Sequence, residues 1–132
     1  MTGEVAGYVM ETLLEAGALD VFYTPIYMKK NRPGMKISVL CEAEDIERIQ
    51  KIIFRETTTL GIRMYETNRV CIDREWLTVT TIYGDIRIKK GIYDDITKWA
   101  PEYEDCKRCA KEKGVSIQMV YQAALGEVLE RR

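Results

Sequence analysis

At 132 residues, 46% hydrophobic and 31% charged, the chain can bury one core or two small ones without disulfide staples. Lysine plus arginine (20) nearly cancel aspartate plus glutamate (21), so the chain lacks the charge excess of a nucleic-acid or anionic-membrane binder, and any anion site must be local. With no histidine, every Ser-His-Asp, Cys-His or His-ligated metal scheme drawn from this chain alone is excluded, and no apolar run approaches the roughly 20 residues of a membrane span.

The opening "MTGEVAGYV" has neither a basic segment nor an apolar one of leader type, which points to a cytoplasmic protein. Thr2 is placed to cap a first helix whose apolar positions Val5, Tyr8, Val9, Leu13 and Ala16 recur at three- and four-residue spacing, with Gly17 as its stop. "DVFYTPIYMKK" is rich in β-branched and aromatic residues. After "NRPG", the run "MKISVLC" alternates Met35, Ile37, Val39 and Cys41 against Lys36 and Ser38. The two runs predict a hairpin with Pro33 and Gly34 in its turn. "EDIERIQKIIFRE" returns to helical spacing through Ile46, Ile49 and Ile53, with acidic residues in its first turn. "LGIRMYE" reads as extended.

Helix, strand, strand, helix, strand is a ferredoxin-like βαββαβ unit without its opening strand. The expectation is an α+β fold and a chain that starts at the second element of its own unit, a fragment. Beyond residue 66 the pattern changes. "WLTVTTIYGDIRIKK" predicts strands over Trp76 to Ile82 and Ile86 to Lys89 around a "YGD" turn. Pro101 then suits the first turn of a helix, "PEYEDCKRCAKEK", that Gly114 ends, and Ser116 caps a final helix. Two subdomains follow, 1–66 and 67–132, the second a small sheet with a helix pair.

Two basic clusters carry the candidate chemistry. Lys29, Lys30 and Arg32 crowd one hairpin tip; Arg55, Thr57, Thr58, Thr59 and Arg63 gather around "FRETTTLGIR". Guanidinium forks, hydroxyls and a close backbone approach at glycine are the groups that hold phosphate oxygens. The plainer alternative is solvated loop charge and threonines chosen for strand sterics, since neither stretch is a Walker or dinucleotide fingerprint. Cys106 and Cys109 stand in "CKRC", a spacing used by zinc and redox sites, but Cys41 and Cys71 stand alone; reduced thiols on a buried helix face are the competing reading.

Four blocks in order, "MTGEVAGYVMETLLEAGALDVFYTPIYMKKNRPG", "IFRETTTLGIR", "REWLTV" with "YGDIRIK", and "PEYEDC", resemble the C-terminal part of the LarC family of nickel-pincer cofactor biosynthesis proteins. The resemblance implies a CTP-binding and oligomerisation module of a CTP-dependent nickel insertase. That enzyme would load nickel onto a pyridinium bis-thiocarboxylate mononucleotide, cleave CTP to CMP and diphosphate, and so make the cofactor of lactate racemase. Within it, Lys29, Lys30, Arg32, Arg55, Thr57, Thr58 and Arg63 would cradle the triphosphate. Glu4, Glu56, Glu102 and Glu104 are the carboxylates beside the matching blocks that could hold Mg²⁺ or Mn²⁺ with the nucleotide. Only "MTGE" of the family's acidic "ETN(I/L)DDMTGE" block is here, and with no histidine the isolated chain is expected to bind CTP without making cofactor. A trimer or hexamer is expected, because an incomplete sheet leaves an edge to pair. The alternative is a ferredoxin-like regulatory or assembly domain that binds a small anion without catalysis. A nucleic-acid partner is disfavoured by the charge balance and by the lack of a stacking motif.

Overall fold

The structure is a computed structural model that describes residues 1–130. Met1–Glu66 form one compact unit and the chain from Thr67 on a second. Each has its own core.

In the first unit, helix α1 (Gly3–Glu15) starts where the Thr2 hydroxyl accepts from the Val5 N–H at 3.3 Å, and it stops at Gly17, whose φ of +101° needs glycine. Strands β1 (Asp20–Met28) and β2 (Arg32–Leu40) pair antiparallel, Val21 opposite Val39 and Tyr23 opposite Ile37. Helix α2 (Ile46–Glu56) follows a 3₁₀ turn at Ala43–Asp45. Val9 and Leu13 of α1, Ile49 and Ile53 of α2, Ala18 and Val21 make the core, with Ile37, Val39 and Ile62 packed against it. Tyr23 ties hairpin to helix by donating its hydroxyl to the Ala6 carbonyl at 2.7 Å.

The run 58–72, read as partly extended, joins no sheet: the first sheet contains β1 and β2 alone. A strand needs a neighbour for its N–H and C=O groups. In a ferredoxin-like unit the strand after the second helix pairs with the opening strand, and residues 1–19 supply none. Ile62 still reaches the core, and Gln50 Nε2 meets Met64 Sδ at 2.9 Å.

In the second unit, β3 (Asp73–Thr81), β4 (Gly84–Tyr93) and β5 (Ile96–Pro101) form an antiparallel sheet in that order. Helices α3 (Tyr103–Lys113) and α4 (Ile117–Leu129) cover one face of it. Val79, Ile86 and Ile88 point at Cys106, Cys109, Val120, Ala124 and Val128, all buried. Gly114 ends α3 in the left-handed region and the Ser116 hydroxyl caps α4 through the Met119 N–H at 3.3 Å. Strand β5 goes beyond the sequence expectation. Pro101 is its last residue and not the first turn of α3; β5 pairs only with β4, and an edge position tolerates a residue with no N–H. The β3–β4 turn is Ile82–Tyr83, shorter than the "YGD" reading, with Gly84 opening β4 at φ +125°. The architecture is thus α+β, with two small antiparallel sheets and four α-helices among the described residues.

Candidate functional site

The β1–β2 turn is Lys29-Lys30-Asn31, with Met28 opposite Arg32 and Tyr27 opposite Pro33. Pro33 and Gly34 therefore lie within β2 and not in the turn. The reversal is made instead by Lys30 (φ 63°, ψ 26°) and Asn31 (φ 56°), two left-handed residues of the kind tight hairpins demand. Gly34 has a different role: a Cβ there would lie 2.9 Å from Met28 Sδ, so glycine lets the Met28 side chain fold across the hairpin. At about 3.4 Å per residue the tip lies about 25 Å along the strand from Val21, well outside the core. Lys29, Lys30 and Arg32 are all exposed, and among the described residues none has a carboxylate within 4.0 Å.

The second cluster is built on the end of α2. Thr57 donates its hydroxyl proton to the Ile53 carbonyl at 2.7 Å and accepts from the Thr59 N–H at 3.3 Å, while Thr59 donates to the Gly61 carbonyl at 2.9 Å. Both hydroxyl protons are thus committed to backbone carbonyls, that of Thr57 at the helix end and that of Thr59 in the loop after it, and neither is left for a phosphate. Thr58 and Arg63 are exposed. Arg55 lies in the last turn of α2, where a cation offsets the negative end of the helix dipole. It also borders an open depression of ≈ 370 Å³ with Glu44, Glu47, Arg48, Lys51 and Ile52. Two carboxylates and paired cations (Arg48 with Asp45, Lys51 with Glu47 at 3.1 Å) leave that depression little net charge. No hydrogen bond or ion pair among the described residues joins this cluster to the hairpin tip.

Of the four glutamates, two belong to each unit. Glu4 is in the first turn of α1 and Glu56 ends α2. Glu102 precedes α3, its carbonyl accepting from the Cys106 N–H at 3.0 Å, and Glu104 meets Lys107 Nζ at 3.6 Å. Among the described residues no three Asp, Glu or Cys side chains gather closely enough to hold a metal ion. An ion that arrives with a nucleotide takes only one or two protein carboxylates and needs no such group.

All four cysteines are free thiols, Cys106 and Cys109 buried, Cys71 exposed. Burial pushes the Cys106 thiol up to about 11, with the neighbouring Cys109 adding to it. A metal site needs the opposite, a thiolate favoured near neutrality.

What the sequence reading missed lies on the second sheet. The register sets Arg74, Gly91 and Lys98 side by side across β3, β4 and β5, and Trp76, Lys89 and Ala100 in the row beside them. This face points away from α3 and α4. The alternation in "DREWLTV" and "DIRIKK" gives each strand's two faces, but which cations become neighbours depends on β5 and its register, which the sequence did not disclose.

Residues 1–121 match the family model described as "Nickel insertion protein". The chain is 48% identical over 129 residues to the pyridinium-3,5-bisthiocarboxylic acid mononucleotide nickel insertion protein of Acetivibrio thermocellus, a match covering 98% of this chain and 32% of that protein. The protein of the same name from Lactiplantibacillus plantarum is 49% identical over 124 residues, covering 94% and 30%. The chain thus spans about a third of the length of the curated relatives it matches. Among solved structures it is similar to "LarC2, the C-terminal domain of a cyclometallase involved in the synthesis of the NPN cofactor of lactate racemase, apo form", with TM-score 0.88 and 49% identity over 96% of this chain and 88% of that one. The Methanopyrus kandleri protein MK0293 shares the fold at TM-score 0.72 and 22% identity, covering 92% and 76%.

Proposed function

The chain belongs to the nickel insertion protein family, and from that premise we propose that it is the CTP-binding and assembly domain of an enzyme that loads nickel onto a pyridinium bis-thiocarboxylate mononucleotide. The relatives' names supply the mononucleotide and the metal; nickel is the cargo of that reaction. The observation that carries the nucleotide part is the hairpin tip: three cations on or beside a turn fixed by two left-handed residues, with no carboxylate within 4.0 Å among the described residues. Fixed, unpaired charge suits triphosphate oxygens. Lys29, Lys30 and Arg32 bind and orient the triphosphate, and Thr58, Arg55 and Arg63 are the further donors. Thr57 supports them from the helix end, its own proton being committed to Ile53.

A divalent ion such as Mg²⁺ or Mn²⁺ would shield charge on a bound triphosphate. Glu4, Glu56, Glu102 and Glu104 are the carboxylates from which such an ion would take one or two protein ligands. The nickel donors are assigned to no residue of this chain, and the chain alone is expected to bind CTP without inserting metal. A cytoplasmic setting is part of the same proposal; among the described residues no helix is long and apolar enough to cross a membrane.

Calorimetric titration with CTP, ATP and GTP, with and without Mg²⁺, tests the reading. Selective CTP binding that is lost in Lys29→Ala/Lys30→Ala, with an unchanged circular dichroism spectrum, supports it. No binding of any nucleotide refutes it and leaves an assembly domain. The assembly part is favoured by the hairpin's exposed apolar side chains, Phe22, Tyr27, Met28 and Met35 among them. A trimer or hexamer is proposed, and a monomeric mass by light scattering would sink it.

A further inference from the structure

We propose that the outward face of the β3–β4–β5 sheet is a separate binding site for a small planar ring that carries anionic groups. The site begins with an omission. Gly91 is buried in the middle of β4, opposite Arg74 on one side and Lys98 on the other, and a Cβ at this position would lie 2.9 Å from Ile72 Cδ1. Glycine here lets the Ile72 side chain lie down on the sheet. With only a methyl group at Ala100 in the next row, the face opens into a cavity of ≈ 190 Å³ lined by Ile72, Arg74, Lys89, Gly91, Lys98 and Ala100.

Its chemistry is two-sided. The floor is apolar: Ile72, the bare Gly91 backbone and the Ala100 methyl. The rim is three cations and no carboxylate. The cations elsewhere on this sheet are neutralised: Arg87 by Asp105 at 2.9 Å and Lys90 by Glu75 at 3.7 Å. Among the described residues Arg74, Lys89 and Lys98 have no carboxylate within 4.0 Å. Like charges converging on one small cavity repel each other unless a counter-ion joins them.

The neighbouring row holds one of the cations in place. Lys89 Nζ sits 4.9 Å from the ring centroid of Trp76, directly across the strands, so the ammonium is held beside the cavity and not spread into solvent. Trp76 is itself 52% exposed beside the depression, with the Arg87 guanidinium also 6.0 Å from its ring centroid. At ≈ 190 Å³ this open depression has room for a single six-membered ring. An apolar floor under a cationic rim selects a flat body with carboxylate- or phosphate-type groups on its edge. This site uses no residue of the hairpin tip, and it stands or falls separately from the CTP reading.

The test is titration of the whole chain with isophthalate, a benzene ring with two carboxylates, followed by amide chemical shifts and by tryptophan fluorescence. Inorganic pyrophosphate serves as the ringless anion. Saturable shifts centred on Gly91, Lys98 and Ala100 with quenching of Trp76 are expected. Lys89→Glu/Lys98→Glu should weaken isophthalate binding by at least about tenfold through charge reversal, and the milder Lys98→Ala by less, while Lys29→Ala/Lys30→Ala leaves it unchanged. Absence of saturable shifts at these amides overturns the proposal, as does binding unaffected by both Lys98 variants. An equal response to pyrophosphate overturns the ring requirement.

Discussion

Asp105 Oδ2 accepts from both the backbone N–H of Arg87 at 3.0 Å and its Nε at 2.9 Å, and Oδ1 accepts from Nη2 at 3.2 Å. One carboxylate thereby locks the start of α3 to the middle of β4. The Arg87 side-chain hydrogen bonds, against the opposing effect of burial, hold the Asp105 carboxyl below the usual carboxylate range. A depressed folded value means stability that is full above the unfolded pKa of about 3.9 and is lost as pH falls through the lower folded value. Asp105→Asn should lower the melting temperature by a few degrees at pH 7, and the gap to wild type should close below about pH 4. Melting curves at pH 7 and pH 3 measure both.

Thiol labelling should separate the cysteines by position. Exposed Cys71 reacts first. Cys106, raised to about 11 by burial, carries about a hundredfold less thiolate near pH 8 than an ordinary cysteine, and Cys109 is buried beside it. Mass spectrometry after a short exposure to a thiol reagent should find Cys71 modified, with Cys106 and Cys109 reacting only after denaturation. Early modification of Cys106 would contradict the packing of α3.

Lys30 combines backbone strain with charge. A left-handed residue other than glycine costs about 1–2 kcal/mol, so Lys30→Gly should stabilise the chain by about 1 kcal/mol in chemical denaturation. On the proposed function it should also weaken CTP. Gain in stability with loss of affinity would separate what the tip does for the ligand from what it does for the fold.

Gly84 opens β4 at φ +125°, and a Cβ there would lie 3.1 Å from Cys109 Sγ. Gly84→Ala meets strain and a buried sulfur together, and should cost about 1–3 kcal/mol. Denaturant midpoints compare it with Gly3→Ala, where nothing lies within 4 Å and the φ is helical.

Much was legible because it is local. Thr2, Gly17, Gly114 and Ser116 mark helix ends by chemistry confined to one turn, and the structure finds all four in those roles. The hairpin was legible as two runs, but its turn was placed at Pro33-Gly34, the favoured turn residues, whereas the left-handed positions fell to Lys30 and Asn31. The ordered motif blocks also pointed to the family that the comparisons show. "ITKWA" carries little local signal: it is short, and Pro101 beside it points to a helix start.

The sequence by itself determined the α+β class, the helix ends marked by Thr2, Gly17, Gly114 and Ser116, the exclusion of histidine chemistry from these residues and the family, since each depends on neighbours in the chain or on an ordered series of strings. Tertiary structure decided the pairings. It left residues 58–72 outside any sheet and set Arg74, Lys89 and Lys98 around Gly91. These facts depend on strand register, which joins residues far apart in the chain, and a register exists only once both strands are in place.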